Sequence, residues 1–253
     1  MRMPSIFVGH GTPMNAISNN KYTEKWRDIG DLFKPKGIIM ISAHWFTNQT
    51  LTQENEHPEK INDMYGFPDK LYEMDYSPNG SLTLSREIKE SLGEEVKIDN
   101  SWGIDHGAWA VLVHMYPKAD IPLVQLSVNG SKTPQEQFIL GQKIAHLRDK
   151  GFMIIASGNI VHNLSMIRSQ SEPAYPWAVL FDDYIEEAIV HRHYEKCIHY
   201  LDFGQVAKLS VPSPDHYYPL LTLLGSVNED DQVTVFNKDY ELSSLSMTSY
   251  IFN

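Results

Sequence analysis

The sequence predicts an α/β fold, a single domain in which a central, mostly parallel or mixed sheet is flanked by helices. Four short apolar runs have the length of buried strands, and longer segments with apolar residues at helical spacing lie between them. The chain has 253 residues, of which 42% are hydrophobic, and this suffices for one large α/β core. Neither an internal repeat nor a linker divides the sequence, so we expect one domain over residues 1–253.

Each element follows from a local pattern. Apolar runs without polar alternation predict buried strands at residues 5–8, 38–41, 121–126 and 152–156. Periodic apolar residues predict helices at residues 21–33, 81–92, 110–115, 177–190 and 217–224. A further helix opens at Pro134, behind a capping box formed by Thr133 and Glu136, and ends near Gly151. The tail predicts two strands, at residues 232–236 and 243–251, as a hairpin or a sheet edge.

Charge and cysteine content restrict the partners and the compartment. The formal net charge of −11 argues against a nucleic acid or an anionic membrane as the partner. Cys197 is the single cysteine, so the chain forms no internal disulfide and is typical of a reducing compartment. The amino terminus lacks the apolar core of a signal peptide, and no apolar run approaches the ~20 residues that cross a bilayer. We therefore expect a cytoplasmic protein with no membrane partner.

Five of the eleven histidines occupy positions typical of a functional site. His10, His44 and His162 each follow a predicted strand within a few residues, whereas His106 and His216 stand in turns that open helices. If the sheet is mostly parallel, all five converge on one edge, because the carboxyl ends of parallel strands lie together. Histidine is the commonest metal ligand and the physiological acid/base, so the pattern predicts a metal site with acid/base help.

His216 carries a further expectation. With Ser213 as the cap and Pro214 as the first helical residue, His216 lies in the first turn of its helix. The positive end of the helix dipole disfavours imidazolium there, and a metal requires neutral imidazole.

Other interpretations of these residues remain open at this stage. A single histidine at a strand end is more often a hydrogen-bonded structural group than a ligand, and only the joint pattern favours function. Gly-x-Ser-x-Gly, a phosphate-binding loop, Cys-x-x-Cys and His-Glu-x-x-His are all absent from the sequence. The irregular stretch 47–79 is rich in aromatic residues, and we expect an ordered lid or pocket wall there, with residues 65–76 helping to shape the pocket.

Five motifs identify a family resemblance that covers nearly the whole chain. They are residues 9–14 (GHGTPM), 42–45 (SAHW), 102–107 (WGIDHG), 156–164 (ASGNIVHNL) and 214–220 (PDHYYPL). In this order they resemble the motifs of class III extradiol ring-cleavage dioxygenases, in the branch typified by 4,5-DOPA dioxygenase extradiol. The resemblance implies a single-domain α/β fold with one mononuclear metal.

The resemblance also implies roles for the histidines. By this likeness His10, His44 and His216 are metal ligands. His162 is a nearby acid/base or a fourth ligand, and His106 orients the substrate or dioxygen.

One departure from the broader class concerns the metal. That class resembles iron sites with two histidines and one carboxylate, whereas here the third position is His216. Asp215 is adjacent, but on a helix it would point about 100° away. Three imidazoles also suit zinc, so we expect one divalent metal per chain, with Fe(II) for activity and Zn(II) as an alternative bound metal.

The function predicted on this basis is a non-haem Fe(II) extradiol dioxygenase. Its partners are dioxygen and a small-molecule catechol such as DOPA, whose ring opens to a semialdehyde. Two alternatives stay open: a zinc-dependent hydrolase that uses the same three histidines with His162 as the base, and a non-catalytic binding relative. The sequence does not specify the physiological catechol or the oligomeric state.

Overall fold

The computed structural model describes residues 2–253, in which strands and helices alternate along the chain. The strands are β1 (Ser5–Gly9), β2 (Gly37–Ser42), β3 (Phe46–Thr47), β4 (Thr50–Thr52), β5 (Val96–Ile98), β6 (Leu123–Gln125), β7 (Val128–Asn129), β8 (Phe152–Gly158), β9 (Val233–Phe236), β10 (Tyr240–Glu241), β11 (Leu245–Ser246) and β12 (Ser249–Phe252). The helices are α1 (Lys21–Leu32), α2 (Asp69–Tyr72), α3 (Leu82–Leu92), α4 (His106–Met115), α5 (Pro134–Ile144), α6 (Pro176–Val190), α7 (Tyr194–Ile198), α8 (Gln205–Ser210) and α9 (Tyr218–Gly225). Among residues 2–253, no helix is both long and apolar enough to cross a bilayer.

The central sheet is mixed, as predicted. Its six strands run in the order β6-β2-β8-β1-β12-β9. The first four are mutually parallel. At the β1 side, β12 pairs antiparallel with β1, and β9 pairs antiparallel with β12. The first strand predicted for the tail, at residues 232–236, is β9 at the sheet edge. The second, at residues 243–251, is divided: β12 joins the central sheet, whereas β11 pairs with β10 in a separate two-stranded sheet. Because β1, β8 and β2 are parallel neighbours, their carboxyl ends lie at one edge of the sheet.

Both faces of the sheet are covered, so the strands are continuous apolar runs. Ile6 and Val8 face a core that contains Trp26 of α1 and Trp109 of α4, and both indole rings are fully buried. Phe7 points to the opposite face, into a core supplied by α5, α6 and α9. The alternation of side chains along a strand explains why both layers of helices are needed.

The predicted start of the last helix is wrong. The sequence favours Ser213 as the cap and Pro214 as the first helical residue, but α9 begins at Tyr218. His216 therefore lies in the turn before the helix. The physical reason is a long-range contact: the His216 carbonyl accepts a hydrogen bond from the Asn159 N–H at 3.0 Å, just beyond β8.

Candidate metal centre

All five histidines meet at the carboxyl edge of the parallel strands. His10 lies in the middle, with its ring centroid 5.1 Å from that of His44, 5.7 Å from that of His106 and 5.3 Å from that of His216. His162 stacks on His216, with centroids 3.5 Å apart and ring planes nearly parallel. The chain thus brings together side chains from five separate segments, as the placement after parallel strands predicts.

Oxygen atoms hold the imidazoles of His10 and His216 through Nδ1. Ser157 Oγ lies 2.9 Å from Nδ1 of His10, and the Asp215 carboxylate contacts Nδ1 of His216. Asp215 therefore does not point away from its neighbour, contrary to the expectation from helical geometry, because neither residue is in the helix. An imidazole held at one nitrogen presents the other one, and this is the usual arrangement of metal-ligating histidines.

The free nitrogens face one another inside the cluster. Nε2 of His10 lies 3.2 Å from Nε2 of His44, and neither atom has a better partner than a second imidazole. Nε2 of His216 is buried and has no hydrogen-bond partner among the described residues. Unpaired buried nitrogen atoms are costly in a folded protein, and a bound cation would satisfy them.

The protonation states fit the same conclusion. Burial, reinforced by the neighbouring histidines, lowers the pKa of His10 and of His216 well below the ordinary value. Burial likewise lowers the pKa of His44 to about 3 and that of His162 to about 4. All four imidazoles are therefore neutral near pH 7 and have a lone pair available, so the residues fit a divalent metal.

Two groups of potential ligand atoms lie within the cluster. The ligand atoms of His10, His44 and His106 all lie within 4.8 Å of one another, so this triad could bind one metal. Those of His162, Asp215 and His216 form a second group of the same size. The tightest three-histidine group therefore contains His106, whereas the set implied by the family resemblance contains His216.

Asp63 is a site residue that the sequence analysis missed. Its Oδ1 accepts a hydrogen bond from the His106 backbone N–H at 2.9 Å, and its Oδ2 lies 2.8 Å from Nδ1 of His106. The same Oδ2 is 3.4 Å from Nδ1 of His44. Asp63 stands in an irregular loop with no motif around it, so no pattern in the sequence could have identified it.

The segment that presents His106 is fixed by the buried Asp105. The Asp105 carboxylate caps α4 and accepts hydrogen bonds from Ser42 Oγ at 2.5 Å and from Trp102 Nε1 at 3.0 Å. A Cβ at Gly107 would lie 2.4 Å from Ser42 Oγ, so glycine is required there. This explains the WGIDHG motif: it joins the start of α4 to the end of β2.

Glu241 fixes the turn that carries His10, and it was also missed. Its carboxylate accepts hydrogen bonds from the Thr12 N–H at 2.8 Å and from Asn15 Nδ2 at 3.0 Å. Asn15 Nδ2 also donates to the His10 carbonyl at 3.1 Å. Gly11, at φ +61°, supplies the left-handed backbone that this close approach needs.

A cavity of about 590 Å³ is found elsewhere, between α1 and β9, but the histidines open onto a different cavity of about 480 Å³. The size of the latter is ordinary for a small-molecule site. Tyr65 and Phe67 of the irregular loop line it, as predicted, whereas Tyr76 is buried in the core with its hydroxyl bonded to the Tyr116 carbonyl. The aromatic stretch is thus a pocket wall in its first part only.

Comparison with known proteins gives matches over nearly the whole chain. The family model described as the catalytic LigB subunit of aromatic ring-opening dioxygenase matches residues 3–253. The 4,5-DOPA dioxygenase extradiol of Escherichia coli (strain K12) is 42% identical, covering 98% of this chain and 94% of that protein. The protein of the same name from Beta vulgaris is 37% identical, covering 98% and 96%. The crystal structure of an uncharacterized Escherichia coli K12 protein superposes with a TM-score of 0.87 at 39% identity, covering 100% of both chains.

Proposed function

The chain belongs to the LigB family of aromatic ring-opening dioxygenases, and we propose that it uses Fe(II) to open a catechol such as DOPA beside its diol, giving a semialdehyde. The membership confirms the resemblance seen in the five motifs and makes the chain an extradiol ring-opening dioxygenase. Its reactants are therefore a small aromatic molecule and dioxygen. The observation that supports the proposal best is the group of neutral histidines beside the 480 Å³ cavity.

We assign the metal to His10, His44 and His216. His216 is favoured over His106 as the third ligand because its Nε2 is buried and unpaired while Asp215 holds its Nδ1. His106 is tied by Asp63 at the wall of the cavity, where it orients the substrate or dioxygen. When bound, Fe(II) supplies electron exchange with both the catechol and dioxygen, which amino-acid side chains lack.

His162 is the acid/base that transfers the second hydroxyl proton of the catechol. Its ring lines the cavity and stacks on His216, and burial lowers its pKa to about 4, so it is neutral near pH 7. A neutral imidazole can accept the second hydroxyl proton of the catechol and return it to the product. His162 is the fourth ligand in the alternative assignment, and the two roles differ in whether its replacement releases the metal.

The ligand assignment is tested by metal content. His216→Ala should lose bound iron or zinc, whereas His106→Ala should retain it and lose turnover. His57→Ala, at a histidine outside the cluster, serves as the control and should retain both. If His106→Ala releases the metal and His216→Ala keeps it, the tight His10, His44 and His106 triad is the ligand set instead.

The activity is tested by loading the protein anaerobically with Fe(II) and then admitting air with a panel of catechols. We expect oxygen uptake together with a new visible absorbance from the semialdehyde. The zinc-loaded protein, assayed on esters and amides without oxygen, serves as the hydrolase control. If no catechol in the panel gives oxygen uptake or a new absorbance, the ring-opening proposal is refuted.

A further inference from the structure

The charged side chains that line the spaces around the histidine cluster are acidic. Besides the cavity described above, a cleft of about 520 Å³ reaches the cluster, and His44, His162 and Leu164 line both spaces. Asp63 lines the cavity and Asp215 lines the cleft. Within residues 2–253, no lysine or arginine lines either space. A substrate bound at the histidines is therefore close to two carboxylates and lacks a basic partner.

The basic side chains that lie nearest in sequence to the cavity-lining residues bind other partners. Lys60 Nζ lies 4.8 Å from the centroid of the Trp109 ring and donates to Asn62 Oδ1 at 2.8 Å. The guanidinium of Arg168 stacks 3.7 Å from the centroid of the Tyr175 ring. Both cations are held by aromatic faces, and this is a favourable arrangement that a substrate would have to disrupt.

The rest of the cavity wall is apolar. Met64, Phe67, Leu164, Ile167 and Leu245 contribute to it, beside the histidines. A carboxylate on the substrate would lose hydration against this wall without gaining a counter-ion. The net charge of −11 adds a repulsive field for anions.

An ammonium group would meet the opposite situation. Each oxygen of Asp63 has one hydrogen-bond partner on His106, and Oδ2 also lies 3.4 Å from Nδ1 of His44. Because a carboxylate has about four acceptor sites, capacity remains for a substrate donor. The ring of Tyr65, which is 91% exposed, lines the cavity in the same loop and offers a face to a cation.

Resting on the ring-opening function proposed above, we propose that this enzyme selects catechols by the charge of the substituent on the ring. Cationic aminoalkyl substituents are preferred through Asp63, neutral alkyl substituents are accepted, and anionic carboxyalkyl substituents are disfavoured. DOPA, whose side chain carries an ammonium and a carboxylate, falls between the first and the last. Asp63 is then a specificity-determining residue as well as the partner of His106.

The test compares three catechols that differ in substituent charge: 4-(2-aminoethyl)catechol, 4-propylcatechol and 4-(2-carboxyethyl)catechol. With the iron-loaded enzyme at pH 7, kcat/KM should fall in that order, by about tenfold between the first and the last. Asp63→Asn should lower turnover of all three, but the ratio of the aminoethyl to the propyl compound should fall to about one. Asp215→Asn is the matched variant and should keep that ratio. Loss of the ratio in Asp215→Asn alone would overturn the assignment to Asp63.

Binding supplies a readout that does not depend on turnover. Dissociation constants of the three catechols for the zinc-loaded protein, measured anaerobically by calorimetry, should rise from the aminoethyl through the propyl to the carboxyethyl compound. If no catechol is opened but this ranking holds, the charge selectivity stands and the ring-opening function fails. If all three are opened and bound equally well, or the carboxyethyl compound is preferred, the ring-opening function stands and the charge selectivity is refuted.

Discussion

Asp182 of α6 is a buried carboxylate whose protonation should control the stability of the fold. It accepts hydrogen bonds from the hydroxyls of Thr248 at 2.6 Å, Ser246 at 2.9 Å and Tyr240 at 2.9 Å. The Ser246 N–H in turn donates to the Val161 carbonyl, next to His162. Asp182 therefore anchors the segment against which the His162 turn is packed.

The size of the effect follows from the pKa. Burial, opposed by the three hydroxyl donors, raises the pKa of Asp182 from 3.8 to about 6. The folded state thus holds this proton more tightly than the unfolded state does. The stabilisation is fully present below pH 3.8 and is lost as the pH rises through about 6. At ~1.4 kcal/mol for each pKa unit, the loss at pH 7 is about 3 kcal/mol.

Asp182→Asn removes this titration and keeps the shape of the side chain, because the three hydroxyls can rotate to suit an amide. Compared with the wild type, the variant should be more stable at pH 8 by about 1–3 kcal/mol, and the difference should disappear near pH 4. Urea unfolding of both proteins from pH 4 to pH 8 measures this difference. Asp183→Asn, whose side chain is 52% exposed and paired with Lys238, is the control and should change stability by less than ~1 kcal/mol throughout. A less stable Asp182→Asn protein at pH 8, or a difference independent of pH, would refute the reasoning.

Three further substitutions test other parts of the structure. His10→Ala should abolish metal binding while circular dichroism shows an intact fold, and a protein that keeps its metal would remove His10 from the ligand set. Arg148→Met should lower the free energy of unfolding by about 3–5 kcal/mol, because Asp231, 3% exposed, would be left buried without its cation; wild-type stability in urea would contradict this. Gly158→Ala should reduce metal content and stability together, because the new Cβ would lie 2.2 Å from the His216 carbonyl oxygen. If the variant keeps its metal content and its stability, the turn before α9 can shift to accommodate the new Cβ at little cost.

The sequence by itself determined the layers of the fold and the neighbourhood of the site. Continuous apolar runs gave β1, β2 and β8 their buried positions, since such runs suit strands covered on both faces. The parallel arrangement that these strands favour then predicts that His10 and His44 lie at one edge of the sheet. These inferences hold because they depend on local periodicity and on the direction of the chain.

Only the tertiary structure decided how the histidines are held and which of them lie closest. Asp63 reaches His106 across 43 positions, and Glu241 reaches Thr12 across 229. His216 leaves the expected helix because its carbonyl pairs with the N–H of Asn159, just beyond the end of β8. Local periodicity carries no information about such pairs, since they form only when loops from distant parts of the chain pack against each other. The charge of the cavity, which depends on where Lys60 and Arg168 are sequestered, was decided in the same way.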